Sequence, residues 1–141
     1  MSQTSQIQQL NQKLTEFYDK MASWEQSVVK ETGYSLAQTH TIEVLGCHGA
    51  LRMKELAEKL AITTGTLTVQ VDKLVSAGLI ERCAHPEDRR AIVVKLTAEG
   101  EVIHRQHNQL HLDLVTDLTS DLSNDEAKVL LSCLGKINSA F

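Results

Sequence analysis

TTGTLTVQVDKLVSAGLIERCAHPEDRRAIVVKL, running from Thr63 to Leu96, is the stretch whose reading decides the fold. Its first half places Leu67, Val71 and Leu74 on one face at 100° per residue, so it reads as an amphipathic helix. Thr63 is an N-cap candidate, and Gly78 can close the helix in the left-handed conformation. After Gly78 the period becomes extended. Residues 79–84 and 91–96 are short β-prone runs joined by the charged turn His85-Pro86-Glu87-Asp88-Arg89-Arg90, which predicts a two-stranded ribbon with an exposed tip.

Upstream, Leu56, Ala57 and Leu60 give a short helix over about 53–60, and Leu36, Ile42, Val44 and Leu45 give another over about 36–47. Ile7, Leu10, Leu14, Phe17, Met21, Trp24 and Val28 alternate at spacings of three and four, an apolar stripe along a helix of about residues 5–31 that requires a partner. Downstream, Thr97 caps a long helix over about 98–120, and Ser123-Asn124-Asp125-Glu126 has the spacing of a capping box for a last helix. The expected fold is mainly α with a small two-stranded β-wing: a winged helix-turn-helix with terminal dimerisation helices. The whole of 1–141 reads as one domain, in which 36–100 form the DNA-binding lobe and 1–35 with 101–141 form the helical dimerisation part.

Composition narrows the function classes. At 141 residues, 42% hydrophobic, the chain can bury one core. The longest aliphatic run, Ala91 to Val94, is far short of a membrane span, and the polar start has no basic leader, so a cytoplasmic protein that does not insert in membranes is expected. Cys47, Cys83 and Cys133 are too dispersed for a disulfide framework or a ligand cluster and read as small apolar residues. There is no nucleophile elbow, P-loop or dinucleotide fingerprint, so an enzyme is not expected. The net charge of −4 argues against indiscriminate binding to nucleic acid, yet residues 52–97 carry eight basic and six acidic side chains, which leaves the flanks as the acidic part.

On the helix within the quoted stretch, Gly65, Thr66, Val69, Asp72 and Lys73 lie opposite the apolar face, with Thr68 at its edge. Small, hydroxyl-bearing and β-branched side chains with one lysine suit a major groove, although they equally describe a solvated face. At the ribbon tip, Arg89 and Arg90 can reach phosphate or a minor groove. Asp88 would be repelled by phosphate and is expected to orient an arginine through a charge-assisted hydrogen bond.

Leu56-Ala57-Glu58-Lys59-Leu60, then Val71-Asp72-Lys73-Leu74-Val75-Ser76-Ala77-Gly78-Leu79-Ile80-Glu81-Arg82, His85-Pro86-Glu87-Asp88-Arg89-Arg90-Ala91 and Leu96-Thr97-Ala98-Glu99-Gly100 together closely resemble the multiple-antibiotic-resistance-regulator (MarR) family over about residues 53–100. The resemblance implies a homodimeric winged-helix transcriptional regulator, with the first, fifth and sixth helices at the dimer interface and Asp88 and Arg90 as an aspartate–arginine pair in the wing. Double-stranded DNA is then the expected partner, and a two-fold dimer that presents two recognition helices would require a pseudo-palindromic operator. Where many relatives have a recognition-helix arginine this chain has Val69, so base recognition is expected on Thr64, Thr66, Thr68 and Lys73, leaning on DNA shape and thymine methyls.

His104, His107 and His111 recur at spacings of three and four on the long fifth helix, and His40 lies on the second. His107 and His111 with His40 are candidate ligands for zinc or nickel, completed by Glu43 or Glu25, while a solvated or packing histidine face is the plainer reading. The resemblance also implies a small organic effector in a cleft between the terminal helices and the winged-helix lobe. A protein-interaction module that has lost DNA binding is the remaining alternative, favoured by Val69 and the acidic balance.

Overall fold

The computed structural model describes residues 2–141. In chain order it contains α1 (Gln3–Lys30), α2 (Leu36–His48), β1 (Leu51–Arg52), α3 (Met53–Leu60), α4 (Thr64–Ser76), β2 (Ile80–Ala84), β3 (Ile92–Leu96), α5 (Ala98–Leu118) and α6 (Asn124–Ser139). This is a winged helix-turn-helix. The expected two-stranded wing is present as β2 and β3, and β1 adds a third strand at its base: the order is β1-β3-β2, antiparallel throughout, with Leu51 opposite Val94 and Arg52 opposite Val93. A two-residue strand has no alternation to read, and it escapes any argument from periodicity.

Helix ends form where their sequence dictates. Ser35 Oγ accepts from the Gln38 amide while Gln38 returns a bond to the Ser35 amide, closing a capping box on α2; Ser123 and Glu126 do the same for α6. Thr63 Oγ1 accepts from the Thr66 amide to cap α4, and Gly78, at φ +78°, lets the chain leave α4 and enter β2.

The chain divides into two compact units, one ending at Glu101 and the other spanning Val102–Phe141; α1 falls in the first. The core of the first unit is Ile42, Leu45, Leu56, Leu67, Val71, Leu74, Ile80 and Val94, all with side chains shut off from solvent. Thr97 ties three elements of this unit together. Its amide donates to the Leu79 carbonyl, its hydroxyl donates to the Gly78 carbonyl at 2.6 Å, and the same oxygen accepts from the Gly100 amide at the start of α5. Gly100 is buried, and a Cβ there would overlap the Leu79 carbonyl oxygen.

The long stripe on α1 splits. Met21, Trp24 and Val28 are half-buried and Val29 is buried, whereas Ile7, Leu10, Leu14 and Phe17 each leave half or more of their surface in solvent. In the second unit, Leu110, Leu118, Leu130, Leu134 and Ile137 are likewise exposed. Cys47 and Cys133 are exposed on their helices, so reading them as small buried residues fails there, while Cys83 is half-buried opposite the buried Val93. Among the described residues no helix is long and apolar enough to cross a membrane.

Candidate nucleic-acid interface

Helix α4 buries Leu67, Val71 and Leu74 and turns Thr64, Thr66, Thr68, Val69, Asp72 and Lys73 to solvent. The hydroxyls on that face are organised by the helix itself. Thr63 Oγ1 donates to Thr66 Oγ1 at 3.0 Å, which leaves the Thr66 proton available, while Thr68 Oγ1 donates to the Thr64 carbonyl at 2.8 Å. Gln70, the one side-chain amide of α4, is half-buried, and its oxygen accepts from Thr41 of α2 at 3.3 Å. Thr41 has a single hydroxyl proton, which the Ala37 carbonyl also takes at 2.9 Å, so Gln70 is turned toward α2 by burial more than by a strong bond.

The wing projects from the same unit. Strands β2 and β3 pair from Ile80–Leu96 to Ala84–Ile92, and Lys95 Nζ lies 3.4 Å from Glu81 directly across the ladder. At the tip, the His85 amide donates to the Ala91 carbonyl, the Ala91 amide to the Asp88 carbonyl, and the Glu87 amide to His85 Nδ1. Asp88 Oδ1 accepts from the backbone amide of Arg90 at 3.0 Å. The carboxylate thus fixes the turn through the main chain. This is a charge-assisted hydrogen bond to an arginine made at its backbone amide, the contact an aspartate two residues before an amide forms in an Asx turn. Arg89 and Arg90 are both exposed.

One pairing was not anticipated. Asp72 of α4 accepts a hydrogen bond from Arg82 Nη2 of β2, an ion pair linking the outward helix to the base of the wing. Opposite charges ten residues apart were visible in the sequence, but only the turn at Gly78, which folds β2 back past α4, brings them together.

The histidines separate by unit. His40 is exposed on α2 in the first. In the second, His107 is buried and His111 half-buried on α5, with their Nε2 atoms 3.1 Å apart and rings edge to face.

The MarR family model matches residues 34–92. The multiple antibiotic resistance protein MarR of Salmonella typhimurium is 39% identical over 92 residues, and the match spans 64% of each chain, less than two thirds of that relative's length. The protein of the same name from Escherichia coli is 36% identical over 102 residues, 72% of this chain and 71% of the other. Among solved structures, Streptococcus pneumoniae FabT in complex with DNA superposes with a TM-score of 0.82 at 27% identity, over 94% of this chain and 95% of that one. With helix, wing and caps arranged as described, this chain belongs to the MarR family.

Proposed function

We propose that the chain is a homodimeric, cytoplasmic, sequence-specific DNA-binding transcriptional regulator, a repressor released by a small effector. The observation that carries this reading is that the exposed threonine and lysine face of α4 and the exposed arginines of the wing belong to one unit, coupled through Asp72 and Arg82. Thr64, Thr66, Thr68 and Lys73 enter a major groove; Arg89 and Arg90 reach phosphate or the adjoining minor groove. Asp88 holds the turn that presents them. The uncovered apolar residues of α1, and separately those of α5 and α6, support a two-fold dimer, which presents two recognition helices to a pseudo-palindromic operator.

The test is fluorescence anisotropy with duplex DNA from upstream of the chain's own coding sequence, over a series of salt concentrations. Saturable binding that beats unrelated duplex and weakens linearly in log–log form is expected. Equal affinity for unrelated duplex overturns the sequence-specific reading, and no binding to either overturns DNA binding and leaves the protein-interaction module.

A metal effector is a second reading, favoured by the two Nε2 atoms of His107 and His111. Tetrahedral zinc with bonds of about 2.0–2.1 Å separates two ligand nitrogens by about 3.3 Å, close to the 3.1 Å observed. The pair fits as half of such a site. The metal would supply a charge that fixes these side chains; the residues supply the nitrogen donors.

A further inference from the structure

We infer that Val69 is the specificity-determining residue of α4, reading the C5-methyl of a thymine in the major groove by apolar contact; this rests on the DNA-binding reading above. Val69 sits mid-helix on the outward face, 56% exposed, between Thr66 and Lys73. A single exposed valine is ordinary on a protein surface. What distinguishes this one is the state of its neighbours.

Thr64 and Thr66 keep hydroxyls open to the groove, but a hydroxyl both donates and accepts and so tolerates any base edge, and the other polar side chains of this face have partners inside the protein. The Gln70 amide is half-buried against Thr41 of α2, the Thr68 proton is donated to the Thr64 carbonyl, and Asp72 is held by Arg82. Lys73 offers a point charge, which suits phosphate as well as a base. Discrimination at the centre of the helix then falls to the isopropyl group. Thymine is the one base whose major-groove edge carries a methyl, and adenine, guanine and cytosine would each have a donor or acceptor stripped of water against Val69 with nothing to replace it. A β-branched side chain in a helix is held in one dominant rotamer, so little freedom is lost in making the contact.

The experiment uses the full chain and duplexes enriched by it from a random-sequence library. Each thymine of the winning duplex is replaced in turn by uracil, which removes only the methyl. At one thymine per half-site, uracil is expected to weaken wild-type binding about fourfold, the effect of one buried methyl-sized group. Val69→Ala, folded by circular dichroism, is expected to lose that discrimination, with uracil and thymine bound equally at that position. Replacing the same T·A pair by C·G should weaken wild type further, and 5-methylcytosine in place of that cytosine should recover part of the loss. If uracil is tolerated at every thymine while the duplex still binds specifically, the inference is overturned and the DNA-binding reading stands. If uracil is as harmful to Val69→Ala as to wild type, another side chain reads the methyl and Val69 is not the determinant. Failure to enrich any duplex overturns both.

Discussion

The Asp72 carboxylate of α4 accepts a hydrogen bond from the Arg82 guanidinium of β2, so the helix proposed to enter the groove is linked by charge to the strand that begins the wing. The partners are not equivalent in exposure: the Arg82 side chain is 35% exposed and that of Asp72 60%. A pair this wet contributes at most about 1 kcal/mol to folding. In the proposed DNA complex its larger consequence is electrostatic, because it neutralises a carboxylate that would otherwise face phosphate and occupies an arginine that could otherwise bind it.

Asp72→Asn should therefore leave the unfolding free energy within about 1 kcal/mol of wild type while steepening the salt dependence of DNA binding. A released Arg82 adds a phosphate contact, and the log–log slope grows by about one per wing. Anisotropy titrations from low to physiological salt measure it. An unchanged slope would mean that Arg82 stays bound elsewhere on the protein.

Arg90→Ala should act in the opposite sense, reducing the slope by about one per wing and weakening binding to every duplex alike. Asp88→Ala removes the bond to the Arg90 amide, so it loosens the turn that presents both arginines and weakens binding without deleting a charge from the DNA contact. Amide exchange should show the turn opening in Asp88→Ala and not in Arg90→Ala.

Much of this fold could be read from local chemistry. Thr63, Ser123 and Thr97 were identifiable as caps because a hydroxyl before an apolar-periodic run has one dominant use, and Gly78 because a helix running into a strand needs a residue tolerant of positive φ. What escaped was long-range or too short to carry a period. Strand β1 is defined by its pairing to β3, Gln70 by its bond to Thr41 some 29 residues away, and Asp72 by an arginine that a turn brings back. The candidate contacts on α4 were legible as an outward face, but which hydroxyls are committed to the backbone was not.

Gly100 is the strongest stability prediction. It lies buried where α5 begins, and an added Cβ meets the Leu79 carbonyl and, at 3.2 Å, the Leu96 Cβ. Backbone cannot swing aside as a flexible side chain would, so Gly100→Ala should destabilise by about 1–3 kcal/mol in urea unfolding, despite alanine's better helix propensity. A neutral or stabilising result would show that α5 can shift away from Leu79 at little cost.

Leu14→Glu or Phe17→Glu should break the proposed dimer. Both side chains are more than half exposed in the single chain, so the substitution costs the isolated fold little, but it would place a carboxylate in an apolar interface. Sedimentation velocity at micromolar concentration should show wild type as a dimer and the variants as folded monomers. Wild-type monomers at that concentration would remove the two-fold arrangement on which the pseudo-palindromic operator depends.

The histidine pair decides the second reading of the effector. Without metal, His107 and His111 can share one hydrogen between their Nε2 atoms, one ring donating and the other accepting; with metal, both nitrogens must be lone-pair donors and that bond is given up. Calorimetry should detect micromolar zinc binding to wild type and none to His107→Ala/His111→Ala. Coupling must be reciprocal, so the factor by which zinc changes DNA affinity should equal the factor by which DNA changes zinc affinity. Treatment with a chelator should reverse the change in DNA binding and leave the double variant unaffected. Zinc binding that survives in the double variant would move the site away from α5, and absence of binding to wild type would leave an organic molecule as the effector.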